Sequence, residues 1–156
     1  MGLDMYLERD VYIGANFEHN EVELEISGKT RHGKIEVDVT KVSSITESIA
    51  YWRKANHIHQ WFVVNVQNGV DECQRSWMPN EKLRELVDLC NEIVDAYESG
   101  SEWEELANEK LPPQAGFFFG STELDEYYIQ DCKDTIRQLE PYLDDSQADF
   151  YYHSSW

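Results

Sequence analysis

Carboxylates recur in this chain at the two spacings that regular backbone imposes on a half-buried element. From Gly2 to Glu8, Leu3, Met5 and Leu7 alternate with Asp4, Tyr6 and Glu8, the period-two pattern of a strand with one apolar side. Further on, Glu81, Glu85, Asp88, Glu92 and Asp95 are separated by 4, 3, 4 and 3 residues. On a helix that spacing keeps them within about 40° of one line. Leu83, Leu86, Val87, Cys90, Val94 and Tyr97 fall on the opposite side, the face such a helix buries. A chain carrying both periods has to pack a sheet against helices, so the expected class is α+β.

The remaining elements follow from the same periods and from capping and turn chemistry. Val22, Leu24 and Ile26 alternate with Glu23 and Glu25, and Ile35, Val37 and Val39 alternate with Glu36 and Asp38, which predicts a hairpin around the Gly28–Gly33 turn. Paired with the first strand, it would gather Asp4, Glu8, Glu23, Glu25, Glu36 and Asp38 on one outer face, where each directly opposed like pair costs roughly 0.2–1 kcal/mol. Ser44 with Glu47 makes a capping box that predicts a long helix to about Val66, ended by Asn68-Gly69. Pro79 opens a second helix to about Tyr97, stopped at Ser99-Gly100. Ser101 with Glu104 caps a short helix ended by Leu111-Pro112-Pro113. Phe117–Phe119 reads as a short strand, Thr122 with Asp125 as the cap of a helix to about Leu139, and Phe150–His153 as a final strand. The expected architecture is an antiparallel sheet, built from N-terminal strands and a C-terminal strand, packed against three main helices in one domain spanning residues 1–156.

Composition narrows the function classes. An apolar fraction of 41% with five tryptophans supplies a core, which argues against disorder. No apolar run approaches the roughly 20 residues of a membrane helix, and the opening residues carry no secretory pattern. Met1-Gly2 does not start a myristoylation motif, because Tyr6 stands where Ser or Thr is needed. Cys73, Cys90 and Cys132 form no CxxC pair and read as reduced thiols of a cytosolic protein. The formal charge is −18, and residues 85–156 alone hold 18 of the 31 acidic and 3 of the 13 basic side chains. Such a chain repels nucleic acid and anionic lipid, so neither direct nucleic-acid binding nor membrane binding is expected. A basic protein partner is the natural counterpart. The stripe Glu81–Asp95 has two readings, a solvated face that keeps the protein soluble and an electrostatic lure that substitutes for phosphates before a basic groove. No loop with calcium-binding geometry accompanies the carboxylates, and no cofactor motif is present, so no metal and no cofactor are expected.

The slightly basic segment 41–84 holds the pocket candidates. On the helix expected from Ile45, Arg53, Asn56, His57, Gln60 and Gln67 share one polar arc, while His59 points into the apolar side, where a hydrogen-bonded core histidine is the ordinary outcome. Two residues apart, His57 and His59 diverge by roughly 200° on a helix and cannot share a metal. Gln114 to Thr122, with Gly120 preceding Ser121 and Thr122 at a helix start, offers backbone N–H groups to a phosphate or carboxylate. It lacks the lysine of a P-loop. Thr122 and Asp125 also read as no more than the cap of that helix. On the helical wheel Asp125 faces inward, and Arg53 is its expected partner. Together Arg53, Asn56, Gln60, Gln114, Gly120, Ser121, Thr122 and Asp125 form a candidate site of nucleotide size for an anionic small molecule. Ser, His and Asp are all present, but nothing sets a serine on a nucleophile elbow, and no catalytic residue is assigned.

Several blocks carry a resemblance that these periods do not. The chain opens MGLDMYL, carries Ala50-Tyr51-Trp52-Arg53-Lys54-Ala55-Asn56-His57-Ile58-His59 followed by Trp61-Phe62 and Gln67-Asn68-Gly69, then the Gly116–Thr122 run with Asp125, and closes Tyr151-Tyr152-His153-Ser154-Ser155-Trp156. In these blocks it resembles a family of small bacteriophage and prophage proteins, and it departs from them most between Glu8 and Ser43. The resemblance implies a phage-borne accessory protein working in the bacterial host cytoplasm. It brings no catalytic residues with it. Two functions follow as expectations. One is a non-enzymatic protein that occludes a basic host or defence protein through its carboxylate stripes. The other is a small-molecule binder or small enzyme that sequesters or turns over a phosphorylated metabolite or signal.

Overall fold

The computed structural model describes residues 2–156; Met1, the first residue of the MGLDMYL block and of the myristoylation reading, lies outside them. Six strands and four helices follow one another: β1 (Asp4–Tyr12), β2 (Gly28–Thr30), β3 (Gly33–Ile35), β4 (Ser44–Arg53), α1 (Asn56–Asn65), β5 (Ser76–Met78), α2 (Glu81–Glu98), α3 (Trp103–Lys110), α4 (Glu126–Leu139) and β6 (Asp149–Ser155). The main sheet is antiparallel with order β4-β1-β6-β5. β1 sits inside it because alternate residues Leu3, Met5 and Leu7 are fully apolar, and all three are completely buried. Phe150 and Tyr152 of β6, Met78 of β5 and Trp52 of β4 join them under the helices. The class is therefore α+β, with the N-terminal and C-terminal strands side by side as expected.

Helix α2 forms where the 3.6-residue period lies, and it buries Leu83, Leu86, Val87, Cys90, Ile93 and Val94. Residues 44–53 correct the expectation: the predicted long helix from Ile45 to Val66 is a strand followed by a helix. The capping box does not form, and the β-branched and aromatic residues of Ser44–Arg53 pair with β1 instead. A bulge explains the misleading period. Leu7 opposes Ala50 and Glu8 opposes Ser48, which leaves Ile49 as the extra residue, so Ile45, Ile49 and Trp52 are spaced 4 and 3 without being helical. Lys54 then turns the chain with a φ of 60°, and α1 begins at Asn56.

Three smaller expectations also change. The hairpin is only β2 with β3; Val22–Ile26 and Glu36–Asp38 stay outside regular strands, because this excursion has no apolar layer to pack on. Glu23, Glu25, Glu36 and Asp38 therefore never join Asp4 and Glu8 on one acidic sheet face. Phe117–Phe119 is not a strand: Phe117 is 94% exposed, Phe118 accepts from the Leu3 N–H through its carbonyl, and Phe119 is buried. Helices α3 and α4 begin later than their expected boxes. The residue capping α3 is Glu102, with no side-chain bond, and the cap of α4 is Asp125 itself. The three cysteines are free thiols, Cys90 and Cys132 buried. No helix of the described residues is long and apolar enough to cross a membrane.

Candidate functional site

The turn between β4 and α1 faces the segment that leads into α4, and a cleft of 340 Å³ lies between them. Asn56 builds this junction. Its Nδ2 donates to the carbonyls of Phe119 (3.0 Å) and Ser121 (2.7 Å), and its Oδ1 accepts from the Gln114 N–H (3.0 Å). One buried amide thus pins both ends of the 114–121 loop. Gly120 closes the approach: its φ is +88°, and a Cβ there would sit 3.1 Å from Cβ of Lys54. Lys54 holds its left-handed conformation through two backbone bonds, donating to the Leu3 carbonyl (2.8 Å) and accepting from the Asn56 N–H (2.9 Å). That conformation is uncommon for a lysine and costs of order 1 kcal/mol.

At the mouth, Arg53 and Lys54 are exposed, and among the described residues neither makes an ion pair. The expected Arg53–Asp125 pair does not form. Asp125 instead accepts from the N–H groups of Tyr127 (2.9 Å) and Tyr128 (3.1 Å), and Ser121 Oγ accepts from the Glu123 N–H (3.1 Å). The protein's own oxygens therefore occupy the N–H groups of the helix start that a phosphate would need. What the cleft offers to an anion is therefore the two cations at its mouth.

The floor differs from the mouth. The His57 ring stacks on Tyr128 with centroids 4.0 Å apart, and its Nε2 lies 3.9 Å from Sγ of Cys132. Burial drives its imidazole down to about 3, so it is neutral at physiological pH. Asp131 lines the same cleft. Burial pushes its carboxyl up to about 7, and Asp134 and Asp125 add repulsion. The cleft thus combines two fixed cations, the carboxylates Glu123 and Asp125, a neutral imidazole and a carboxyl that exchanges its proton near neutrality. Such a set can hold an anionic group at one end and accept or donate a hydrogen bond at the other.

Of the residues expected here, Arg53, Asn56, Gly120, Ser121 and Asp125 come together around the cleft. Thr122 is exposed and does not line it, and Gln60 faces a second hollow of 150 Å³ on the far side of His57. Gln114 does not line the cleft either: its N–H donates to Asn56, and its Oε1 is buried without a hydrogen-bond partner among the described residues. Sequence reasoning missed Lys54, Glu123, Tyr127, Tyr128 and Asp131. His57, expected on the polar arc beside Asn56 and Gln60 but not among the candidate site residues, is buried on the cleft floor. His59 is the hydrogen-bonded core residue expected of it, bridging Tyr152 OH (2.7 Å) and Asp71 Oδ2 (3.0 Å).

The five carboxylates Glu81, Glu85, Asp88, Glu92 and Asp95 stand exposed along α2. Lys82 pairs with Glu85 (2.5 Å) and Lys110 with Glu92 (2.6 Å), which leaves Glu81, Asp88 and Asp95 without a counter-ion among the described residues. Comparison with protein-family models, with curated proteins and with solved structures returns no match to this chain.

Proposed function

We propose that this protein binds a small phosphorylated or otherwise anionic metabolite, up to nucleotide size, in the cleft between the β4–α1 turn and the start of α4. One observation carries the reading. In a chain with 31 acidic and 13 basic side chains, Arg53 and Lys54 sit at a cleft mouth with no carboxylate partner among the described residues. Unsatisfied cations amid such an excess of carboxylates are what an anionic ligand would complete. The proton-exchanging Asp131 on the floor would take a donor group of the same ligand. A thermal-shift screen against nucleotides and phosphorylated metabolites tests it. A ligand at about 100 times its Kd should add about 2.7 kcal/mol of stability. Arg53→Ala and Lys54→Asn should erase the gain, the asparagine being chosen because it tolerates a positive φ. Absence of any shift across the panel, or a shift untouched by both variants, would overturn the proposal.

The carboxylate stripe favours a second reading, occlusion of a basic host or defence protein, in keeping with the phage context that the resemblance implies. Its support is the row Glu81, Asp88 and Asp95, exposed on one line and left unpaired. Changing all three to lysine should abolish capture of a basic partner while α2 stays folded. Capture that survives the reversal, or that ignores added salt, excludes it.

A further inference from the structure

The open side of the main sheet carries a second surface. Leu3, Met5 and Leu7 face the helices, so the alternate residues of β1 face away from them. Tyr6 pairs in register with Tyr51 of β4 and with His153 of β6, which makes one aromatic row across three strands. Its ring stacks on His153 (centroids 4.9 Å, 17°) and tilts against Tyr51 (5.4 Å). In the next row Tyr151 lies between Glu8 and Trp77. Tyr51 is 46% and Trp77 54% exposed.

The protein already shows what such a face holds. The Arg75 guanidinium lies 3.6 Å above the centroid of Tyr151, its Nε donates to Glu8 (2.7 Å), and Asp10 is 3.9 Å from its Nη2. The neighbouring row offers an exposed ring beside a carboxylate, Tyr51 donating its hydroxyl to Asp4, and Glu8 of the Tyr151 row also reaches His153 (3.3 Å). We propose that this row docks an arginine-bearing segment of a partner protein, its guanidinium groups laid on Tyr6 and Tyr51 as Arg75 is laid on Tyr151. Charge selects this occupant over nucleic acid. Bases would stack on the same rings, but phosphates would meet Asp4, Glu8, Asp10 and Asp149 on a molecule of net charge −18.

The probe is a short peptide of alternating arginine and glycine, titrated into the isotope-labelled full chain, with the lysine counterpart, a neutral oligosaccharide and a single-stranded oligonucleotide beside it. Amide and indole shifts should concentrate at Tyr6, Tyr51, Tyr151, His153 and Trp77, with arginine binding tighter than lysine. Tyr51→Leu, which keeps apolar bulk and removes the π face, should weaken binding about three- to tenfold. Trp77→Leu, on the edge strand, gives a second reading should the first variant unfold. Shifts confined to the α2 carboxylates, binding unchanged in the leucine variants, or tighter binding by the oligosaccharide or the oligonucleotide would overturn the proposal.

Discussion

Asp131 and His57 share a cleft but respond to pH in opposite senses. The native state holds the Asp131 proton more tightly than the unfolded chain does, since its carboxyl is raised from 3.8 to about 7. This site therefore contributes its full stability below about pH 4 and loses it as pH rises through about 7. His57, lowered from 6.5 to about 3, contributes above 6.5 and loses its contribution as pH falls towards 3. Asp131→Asn isolates the first effect. The variant's stability relative to the parent should grow from near zero at about pH 4 to ~2–4 kcal/mol at about pH 8. A flat difference across denaturation curves would show that Asp131 ionises normally. Neither group announced itself in the sequence, because each owes its character to burial by elements distant along the chain. Asn56 was legible as a pocket residue for its polarity, but its amide turned out to be spent on the 114–121 loop.

At the scale of elements, α4 depends on its first turn. Asp125 accepts from two backbone N–H groups that would otherwise face the cleft unsatisfied. Asp125→Ala should cost about 1 kcal/mol in chemical denaturation, and an unchanged midpoint would show that water replaces the cap. α2 was readable almost to the residue because its period runs unbroken for 18 residues. β4 was not, because one bulged residue converts a strand's alternation into helical spacing, and because what settles its conformation is pairing with β1, some forty positions earlier. The edge it leaves is partly closed by α4, whose Gln138 Oε1 accepts from the Tyr51 N–H at 2.9 Å. Strand pairing and helix covering of this kind depend on contacts that a single-sequence period does not encode.

For the whole molecule, charge is the dominant variable. Residues 85–156 concentrate the acidic excess on the helical side, and the ion pairs Lys82–Glu85, Lys110–Glu92 and Lys133–Glu98 offset only part of it. Raising ionic strength from about 20 to about 200 mM should therefore raise the thermal midpoint, since the screening length falls below the spacing of the unpaired carboxylates. Asp88→Lys with Asp95→Lys should raise the midpoint at low salt and shrink that salt dependence; a salt-insensitive parent protein would contradict this account. The overall acidity was plain from composition, whereas its separation from the mixed-charge open face of the sheet required the topology.

The excursion between β1 and β4 has a consequence of a different kind. Its two ends are stitched together where Ile13 and Gly14 donate to the Ser43 carbonyl and Ala15 donates to the Val42 carbonyl, all at 2.9–3.0 Å. Everything between that seam hangs outside the β1–β4 hairpin, and the cost of closing a loop grows only slowly with its length. The stretch from Asn16 to Lys41 is therefore a graft point, where segments of other lengths and chemistries can be exchanged while the hairpin keeps its register.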